Sequence, residues 1–283
     1  MIYISTSCVR NSKIKDSVYE LALNGFKNIE LSGGTEFYQN FESDLLELKY
    51  KYNLNYRCHN YFPPPKKPFV LNIASLDDET FQLSFNHIEG AISLCERLGS
   101  DKFSFHAGFF IDIRPSQVGR KIKKRHLFDQ EKSVDRFCAA YNLIDQKAKE
   151  LDIFIENNVF SRENSVSYSG VNPFMLTSFS EYQVLKQKID FKLLLDIAHL
   201  KVSAKTLKLD WRSEFENMIT VSNYIHVSDN NGLHDSNRQL TKHSDLFFML
   251  READTKNKDF TLEVYDDLTL IRKSYETLSE AIL

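Results

Sequence analysis

The sequence predicts a single (β/α)8 barrel spanning residues 1–283, and three observations carry that expectation. Eight short runs rich in β-branched and aromatic residues recur along the whole chain, and helical patterns lie between them. No shift in composition marks a domain boundary. The length of 283 residues exceeds an average domain but suits one α/β barrel, a class that runs to about 250 residues as a single unit.

The expected strands lie near 2–6 (IYIST), 28–32 (NIELS), 55–60 (NYRCHN) and 102–107 (KFSFHA), then near 152–157 (DIFIEN), 192–197 (KLLLDI), 223–228 (NYIHVS) and 259–264 (DFTLEV). Several are nearly continuous apolar runs, as in parallel sheets covered on both faces. Between the first two runs, Val18, Leu21 and Ala22 precede Gly25, which stands where a helix C′ glycine belongs. Ile88, Ala91, Ile92 and Cys95 precede Gly99 in the same way. Ser178 and Glu181 have capping-box spacing before an apolar helical run through Tyr182 and Leu185. Leu268 to Leu283 reads as the closing helix. An open doubly wound sheet would normally carry a glycine-rich first turn, and Ser5-Thr6-Ser7-Cys8-Val9 offers no glycine. A closed barrel is therefore favoured.

Composition narrows the function. Apolar residues make up 42% and charged residues 27%, so the chain folds around a core rather than staying disordered. Lys and Arg number 36 against 39 Asp and Glu, a net −3, which argues against a surface built to grip a nucleic acid. Glycines number nine, and neither GxGxxG nor a Walker pattern occurs, so phosphate-cradling loops are not expected. Cys8, Cys58, Cys95 and Cys138 form no CxxC pair and read as free thiols of a reducing compartment. The N-terminal residues do not form a signal peptide, and no apolar run approaches the ~18 residues of a membrane span. A cytoplasmic protein without a membrane partner is expected.

Functional groups of such barrels sit at the C-terminal ends of the strands. Here those ends carry His59, His106, Glu156, Asp196 with His199 just after it, His226 with Asp229, and Glu263. Each alone has a plain reading, because a strand-end carboxylate often caps the next helix and a lone histidine is usually a satisfied polar residue. Together they differ. So many metal-ligand side chains at one mouth would be costly to desolvate without a cation to neutralise them. Carboxylate oxygen with imidazole nitrogen suits Mn²⁺, Co²⁺, Zn²⁺ or Fe²⁺, and suits Mg²⁺ less.

The series Glu156 (FIENN), Asp196 and His199 (LLLDIAH), His226 (YIHVSDNNG) and Glu263 (TLEVY), with ligands roughly 30 to 40 residues apart, resembles the xylose-isomerase-like TIM-barrel superfamily across the whole chain. That group holds sugar and sugar-phosphate isomerases and epimerases, and also endonuclease IV. The resemblance implies one divalent metal held by Glu156, Asp196, His226 and Glu263, with Glu156 and Glu263 on opposite faces of a sugar as catalytic carboxylates. His199 resembles the histidine that touches substrate oxygen beside the metal. A metal chelating a carbonyl and its neighbouring hydroxyl acidifies the adjacent C–H; one carboxylate removes that proton, giving an enediolate, and a second can return it to the far face. Return from the far face inverts a stereocentre, whereas return by the same base to the neighbouring carbon interconverts aldose and ketose.

The endonuclease branch implies an extra zinc at His59 and His106 shared with Glu156, and a third site using His199 and Asp235. Where that third site wants a histidine, Asn237 stands, which speaks against a three-zinc phosphodiesterase of abasic DNA. The expectation is thus a metal-dependent isomerase or epimerase of a small-molecule sugar or sugar derivative, phosphorylated or nucleotide-linked forms included, with His59 and His106 as second-metal or substrate ligands. A zinc phosphodiesterase and a non-catalytic sugar-binding barrel are the alternatives. The resemblance also suggests a homodimer or homotetramer.

Two loops add candidates. The stretch 114–126 holds Arg114, Arg120, Lys121, Lys123, Lys124 and Arg125 and no acid, so it could bind an anionic substrate, with Arg120 and Lys121 foremost. The proline-rich stretch Asn60 to Pro68 is expected to set Tyr61 and Phe62 over the site as stacking faces. Asn157, Asn158, Arg162, Tyr168 and Asn172 follow the fifth strand, and Asp229 and Asp235 the seventh, all within plausible reach of sugar hydroxyls.

Overall fold

The computed structural model describes residues 1–283. Eight parallel strands close in sequence order: β1 (Ile2–Ser5), β2 (Asn28–Leu31), β3 (Asn55–His59), β4 (Lys102–His106), β5 (Asp152–Glu156), β6 (Lys192–Asp196), β7 (Ser222–Val227) and β8 (Asp259–Leu262). Each pairs with the next, and β8 returns to β1 through Ile4 opposite Leu262. The expected strand positions hold to within two residues at either end. Around the barrel run α1 (Ile14–Leu23), α2 (Phe41–Tyr52), α3 (Asp78–Leu98), α4 (Gln130–Ala148) and α5 (Arg162–Ser167), followed by α6 (Phe179–Lys188), α7 (Ile197–Leu207), α8 (Trp211–Val221), α9 (Asp245–Glu252) and α10 (Leu268–Ala281). No helix is long and apolar enough to cross a membrane.

Local chemistry ends the helices where the sequence suggests. Beyond α1, Gly25 takes φ +83°; its N–H donates to Ala22 O at 3.0 Å and the Phe26 N–H to Leu21 O at 3.1 Å, the paired bonds of a Schellman motif. Gly99 ends α3 at φ +64° with the same pairing to Glu96 and Cys95. The expected capping box at α6 is only half formed. Ser178 Oγ accepts from the Glu181 N–H at 3.3 Å, but the Glu181 carboxylate accepts from the Thr177 N–H at 2.6 Å instead of from Ser178. The closing helix stops two residues short of the chain end.

Alternation along the strands separates two environments. Outward residues such as Ile29, Leu31, Phe103, Phe105, Ile153, Ile155, Leu193 and Leu195 join one cluster of 62 buried residues beneath the helices, so the chain has a single core. The inward residues are mostly polar, and only Phe154, Leu194 and Tyr224 form an apolar cluster of their own within the barrel. Toward the N-terminal end of the barrel the interior is closed by Arg57, whose side chain is fully buried. Its Nε and Nη2 donate to the two Asp101 oxygens at 3.0 Å each, and Nη2 also donates to Asp259 at 2.7 Å. The guanidinium carbon lies 4.0 Å from the centre of the Tyr3 ring and 5.1 Å from that of Tyr224, so the cation also rests on aromatic faces.

Removing this cation leaves Asp101 with Lys102 and Asp259 with Lys102 and the N-terminal amine, and opens a void in the barrel floor. Arg57→Ala is expected to lower the unfolding free energy by about 3 kcal/mol, chiefly through the lost packing of a large, fully buried side chain against Tyr3 and Tyr224. Urea denaturation measures this, and a loss well under about 1 kcal/mol would show that the floor does not depend on this side chain.

Candidate functional site

At the opposite end of the barrel, the last inward residues of seven strands meet: Glu30 on β2, His59 on β3, His106 on β4, Glu156 on β5, Asp196 on β6, His226 on β7 and Glu263 just after β8. All but His106 are buried, and His106 is half-buried. Glu156 is the hub. Its Oε2 lies 3.2 Å from His59 Nε2 and 3.0 Å from His106 Nδ1, and its Oε1 lies 3.6 Å from His226 Nδ1. His226 Nδ1 stands 3.5 Å from Glu263 Oε2. The donor atoms of Asp196, His226 and Glu263 fall within 4.8 Å of one another, as do those of His59, His106 and Glu156.

These contacts are close, yet Glu156 Oε2, His106 Nδ1 and His226 Nδ1 are buried without a hydrogen-bond partner. At His106 and Glu156 the distance suits a hydrogen bond but the approach angles do not. Unpaired buried polar atoms are costly, and several converging on one point is the signature of a set awaiting a ligand. The three imidazoles and three carboxylates of these two sets are hard-to-borderline donors, which fits a divalent transition metal.

The far side of each ring is held. His226 Nε2 faces Glu30 at 3.1 and 3.2 Å, so that carboxylate keeps the proton on Nε2 and turns Nδ1 toward Glu156 and Glu263. Thr261 Oγ1 donates to Glu30 at 3.1 Å and stands 3.3 Å from the Tyr224 hydroxyl. His59 Nδ1 meets Ser104 Oγ at 2.9 Å, leaving Nε2 for Glu156. Asp196 does two jobs: Oδ1 accepts from the His199 N–H at 2.7 Å, capping α7, while its backbone is clamped by both ends of the Asn157 amide.

His199 sits between two acceptors, with Nδ1 3.0 Å from Asn157 O and Nε2 3.3 Å from Asp235 Oδ2. Both nitrogens must donate, and although burial works to lower its pKa, Asp196 and Asp235 hold it well above the ordinary value. Burial likewise opposes charge on His226, and Glu30 and Glu263 overcome it. His59 is also raised, Glu156 outweighing its burial, whereas burial takes His106 down to about 4. Burial pushes Asp196 up to about 7. Glu156 and Glu263 are drawn low against the cost of burial, Glu156 by His106 and His59, and Glu263, to about 2, chiefly by His226. Imidazolium charge stands where a metal cation would balance the carboxylates.

Above the cluster opens a cavity of about 920 Å³ whose walls include His59, His106, Glu156, His199, Asp235 and Glu263. Tyr61 lines it in a left-handed conformation, φ +64°, and Asn237 lines it where a third histidine would be needed. Other expected residues lie elsewhere. Phe62 is fully buried, edge-on to Phe41 at 6.0 Å. Asp229 pairs with Lys201 at 3.0 Å outside the cavity lining, Arg162 is exposed on α5, and Lys121 is exposed outside the lining, whereas Arg120 is on it. Asn157, Asn158 and Asn172 are spent on internal hydrogen bonds, and Tyr168 is buried with Phe160 and Phe174. Glu30, Ser104 and Thr261 went unread in the sequence. The signal for Glu30 was an acid between Ile29 and Leu31 in a four-residue strand.

Residues 18–281 match the xylose isomerase-like TIM barrel family. The chain belongs to that family. No curated protein of similar sequence is found. Solved structures that share the fold include a D-tagatose 3-epimerase-like protein (17% identity, TM-score 0.72, 99% of this chain and 96% of that one). Another is D-psicose 3-epimerase from Clostridium cellulolyticum with D-tagatose (12%, 0.68, 99% and 97%). A third is a Thermus thermophilus protein soaked with zinc chloride (15%, 0.63, 99% and 97%).

Two outcomes are expected. Glu30→Gln should weaken Mn²⁺ or Co²⁺ binding about 10- to 100-fold by loosening His226, as outer carboxylates commonly do; competition with a chelator measures it, and an unchanged affinity would show that Glu30 does not orient the ring. His226 is held well above the ordinary imidazole value by Glu30 and Glu263, so a metal binding at Nδ1 competes with a proton there. Metal affinity should therefore fall as pH is lowered, with net proton release seen by calorimetry in buffers of different ionisation enthalpy.

Proposed function

We propose that the protein is a divalent-metal-dependent isomerase or epimerase of a sugar or sugar derivative, acting by proton transfer through an enediolate. The observation that carries this reading is the pair Glu156 and Glu263, both at the cavity floor and both within 3.6 Å of His226 Nδ1. The 3-epimerases among the structures sharing this fold support the substrate class, and the zinc-soaked one supports a metal.

Glu156, Asp196, His226 and Glu263 would hold the metal. Bound there, a divalent ion supplies Lewis-acid polarisation of a sugar carbonyl, which acidifies the adjacent C–H. The residues do the rest. His59, whose imidazole is raised above its ordinary value, faces Glu156 Oε2 and favours the ionised carboxylate that accepts a proton, with the His106 ring on the other side. Glu263 is likewise ionised, and a proton passed between carbon and a carboxylate oxygen on either face inverts the stereocentre; return to the neighbouring carbon by one carboxylate gives the aldose–ketose exchange. Asp235 holds His199 at the cavity wall, where its charge faces substrate oxygen. His59, His106 and Glu156 form a second donor set, and the metal count per chain assigns it: two ions place one there, and one ion leaves both histidines as partners of Glu156 and substrate.

The test is exchange. Metal-loaded protein in D₂O with a panel of ketoses and aldoses should place deuterium on the carbon beside the carbonyl, and a chelator should stop it. Glu156→Gln and Glu263→Gln should each abolish labelling with circular dichroism unchanged. Labelling that survives both substitutions overturns the two-carboxylate mechanism, and cleavage of an abasic-site duplex without any exchange overturns the sugar reading in favour of a phosphodiesterase.

A further inference from the structure

The cavity is larger than the chemistry at its floor requires. At about 920 Å³ it lies near the upper end of the ~300–1,000 Å³ that enclose drug-sized ligands, so one sugar ring leaves much of it open. The floor is acidic, and the wall above it carries Glu163 together with two cations. Arg10, in the loop after β1, and Arg120, in the loop after β4, are the only lysine or arginine residues on its wall. Neither guanidinium has an ion-pair or hydrogen-bond partner within the protein, unlike Arg57, Arg97, Arg136 and Arg212, which hold acids; Arg162 and Arg238 are likewise unpartnered but lie outside the cavity wall.

Both arginines are exposed, but their loops are pinned close by. Val9 packs against the main core and Asn11 Nδ2 donates to Glu20 at 2.6 Å, on either side of Arg10. Two residues after Arg120, Ile122 is buried with Phe109, Phe160 and Phe174, and its N–H donates to Asn164 Oδ1 at 2.9 Å. Further along, Arg125 donates to Asp112 O at 3.0 Å and Lys124 to Ser169 at 3.3 Å, so those cations are drawn away from the cavity. A six-cation loop thus delivers one arginine to the wall and anchors itself there.

From this we infer that the rim takes a phosphoryl or carboxylate group on the substrate remote from its reacting carbons, with Arg10 and Arg120, the two cations on its wall, as the groups that meet it. Arginine suits such oxygens because its planar fork can donate two parallel hydrogen bonds. The inference rests on the sugar reading above and adds its substrate class: an acidic sugar or sugar ester, not a neutral monosaccharide.

Binding to metal-loaded protein separates the two. D-fructose against D-fructose 6-phosphate, D-glucose against D-glucuronate, and D-glucose against UDP-glucose distinguish phosphate ester, carboxylate and diphosphate as the anion. At least one charged member should bind about tenfold more tightly than its neutral partner and lose that advantage as salt rises. The advantage should vanish in Arg10→Ala/Arg120→Ala with neutral-sugar affinity unchanged, and persist in Lys123→Ala/Lys124→Ala. Equal affinity for charged and neutral sugars, or a preference that survives loss of both arginines, overturns the subsite. Neutral sugars that bind and exchange deuterium without any charge preference overturn it alone, whereas failure of every sugar to bind overturns the parent reading with it.

Discussion

Closing eight strands into one barrel forces the last inward side chain of each strand toward a common axis, and this constraint governs everything at the mouth. In most barrels that space is filled with branched apolar residues. Here it receives Glu30, His59, His106, Glu156, Asp196, His226 and Glu263, six of them buried. In a low-dielectric interior such groups can coexist only by neutralising one another or by sharing a cation. The raised imidazole values and the depressed values of Glu156 and Glu263 are the metal-free form of that compromise.

The interior beneath is arranged to hold this cluster in one geometry. Glu30 reaches His226 and is itself held by Thr261, whose hydroxyl meets Tyr224, whose ring faces the buried Arg57. The chain of contacts runs the depth of the barrel. Its two ends differ in a telling way. The carboxylates of Asp101 and Asp259 take three directed bonds from Arg57 at the floor, but Glu156 Oε2 and His226 Nδ1 at the mouth have none. At the floor only Arg57 Nη1 is left over, whereas at the mouth several unpartnered atoms converge, so stability is spent where a ligand can recover it.

Most of this was legible in the sequence. Strand spacing and helix-stop glycines gave the barrel because those signals are local, and the strand ends exposed six of the seven clustered residues. Glu30, Ser104 and Thr261 escaped for the opposite reason: their partners stand on other strands far off in the sequence, 45 residues away for Ser104 and His59 and 196 for Glu30 and His226. Loops were read least well. Asp229 looks equivalent to Asp235 in the sequence, but Lys201 from α7 takes Asp229 away from the cavity while His199 keeps Asp235 on it. Arg162 and Lys121 fell outside the lining because charge patterning says nothing about which side of a loop faces inward.

The same distinction explains how one barrel can keep its chemistry and change its substrate. The floor groups are fixed by the hydrogen-bonded register of the strands, Glu156 opposite Leu194 and His226 opposite Asp196, and a one-residue slip would turn every one of them outward. The rim has no such restraint, since Arg10, Tyr61, Arg120 and Asn237 lie on connections whose only obligations are their anchors, such as Ile122. Substitution at the rim costs little stability and substitution at the floor costs a buried charge balance. Variation in specificity should therefore concentrate in the loops, where the charge of a rim side chain can change without disturbing the floor.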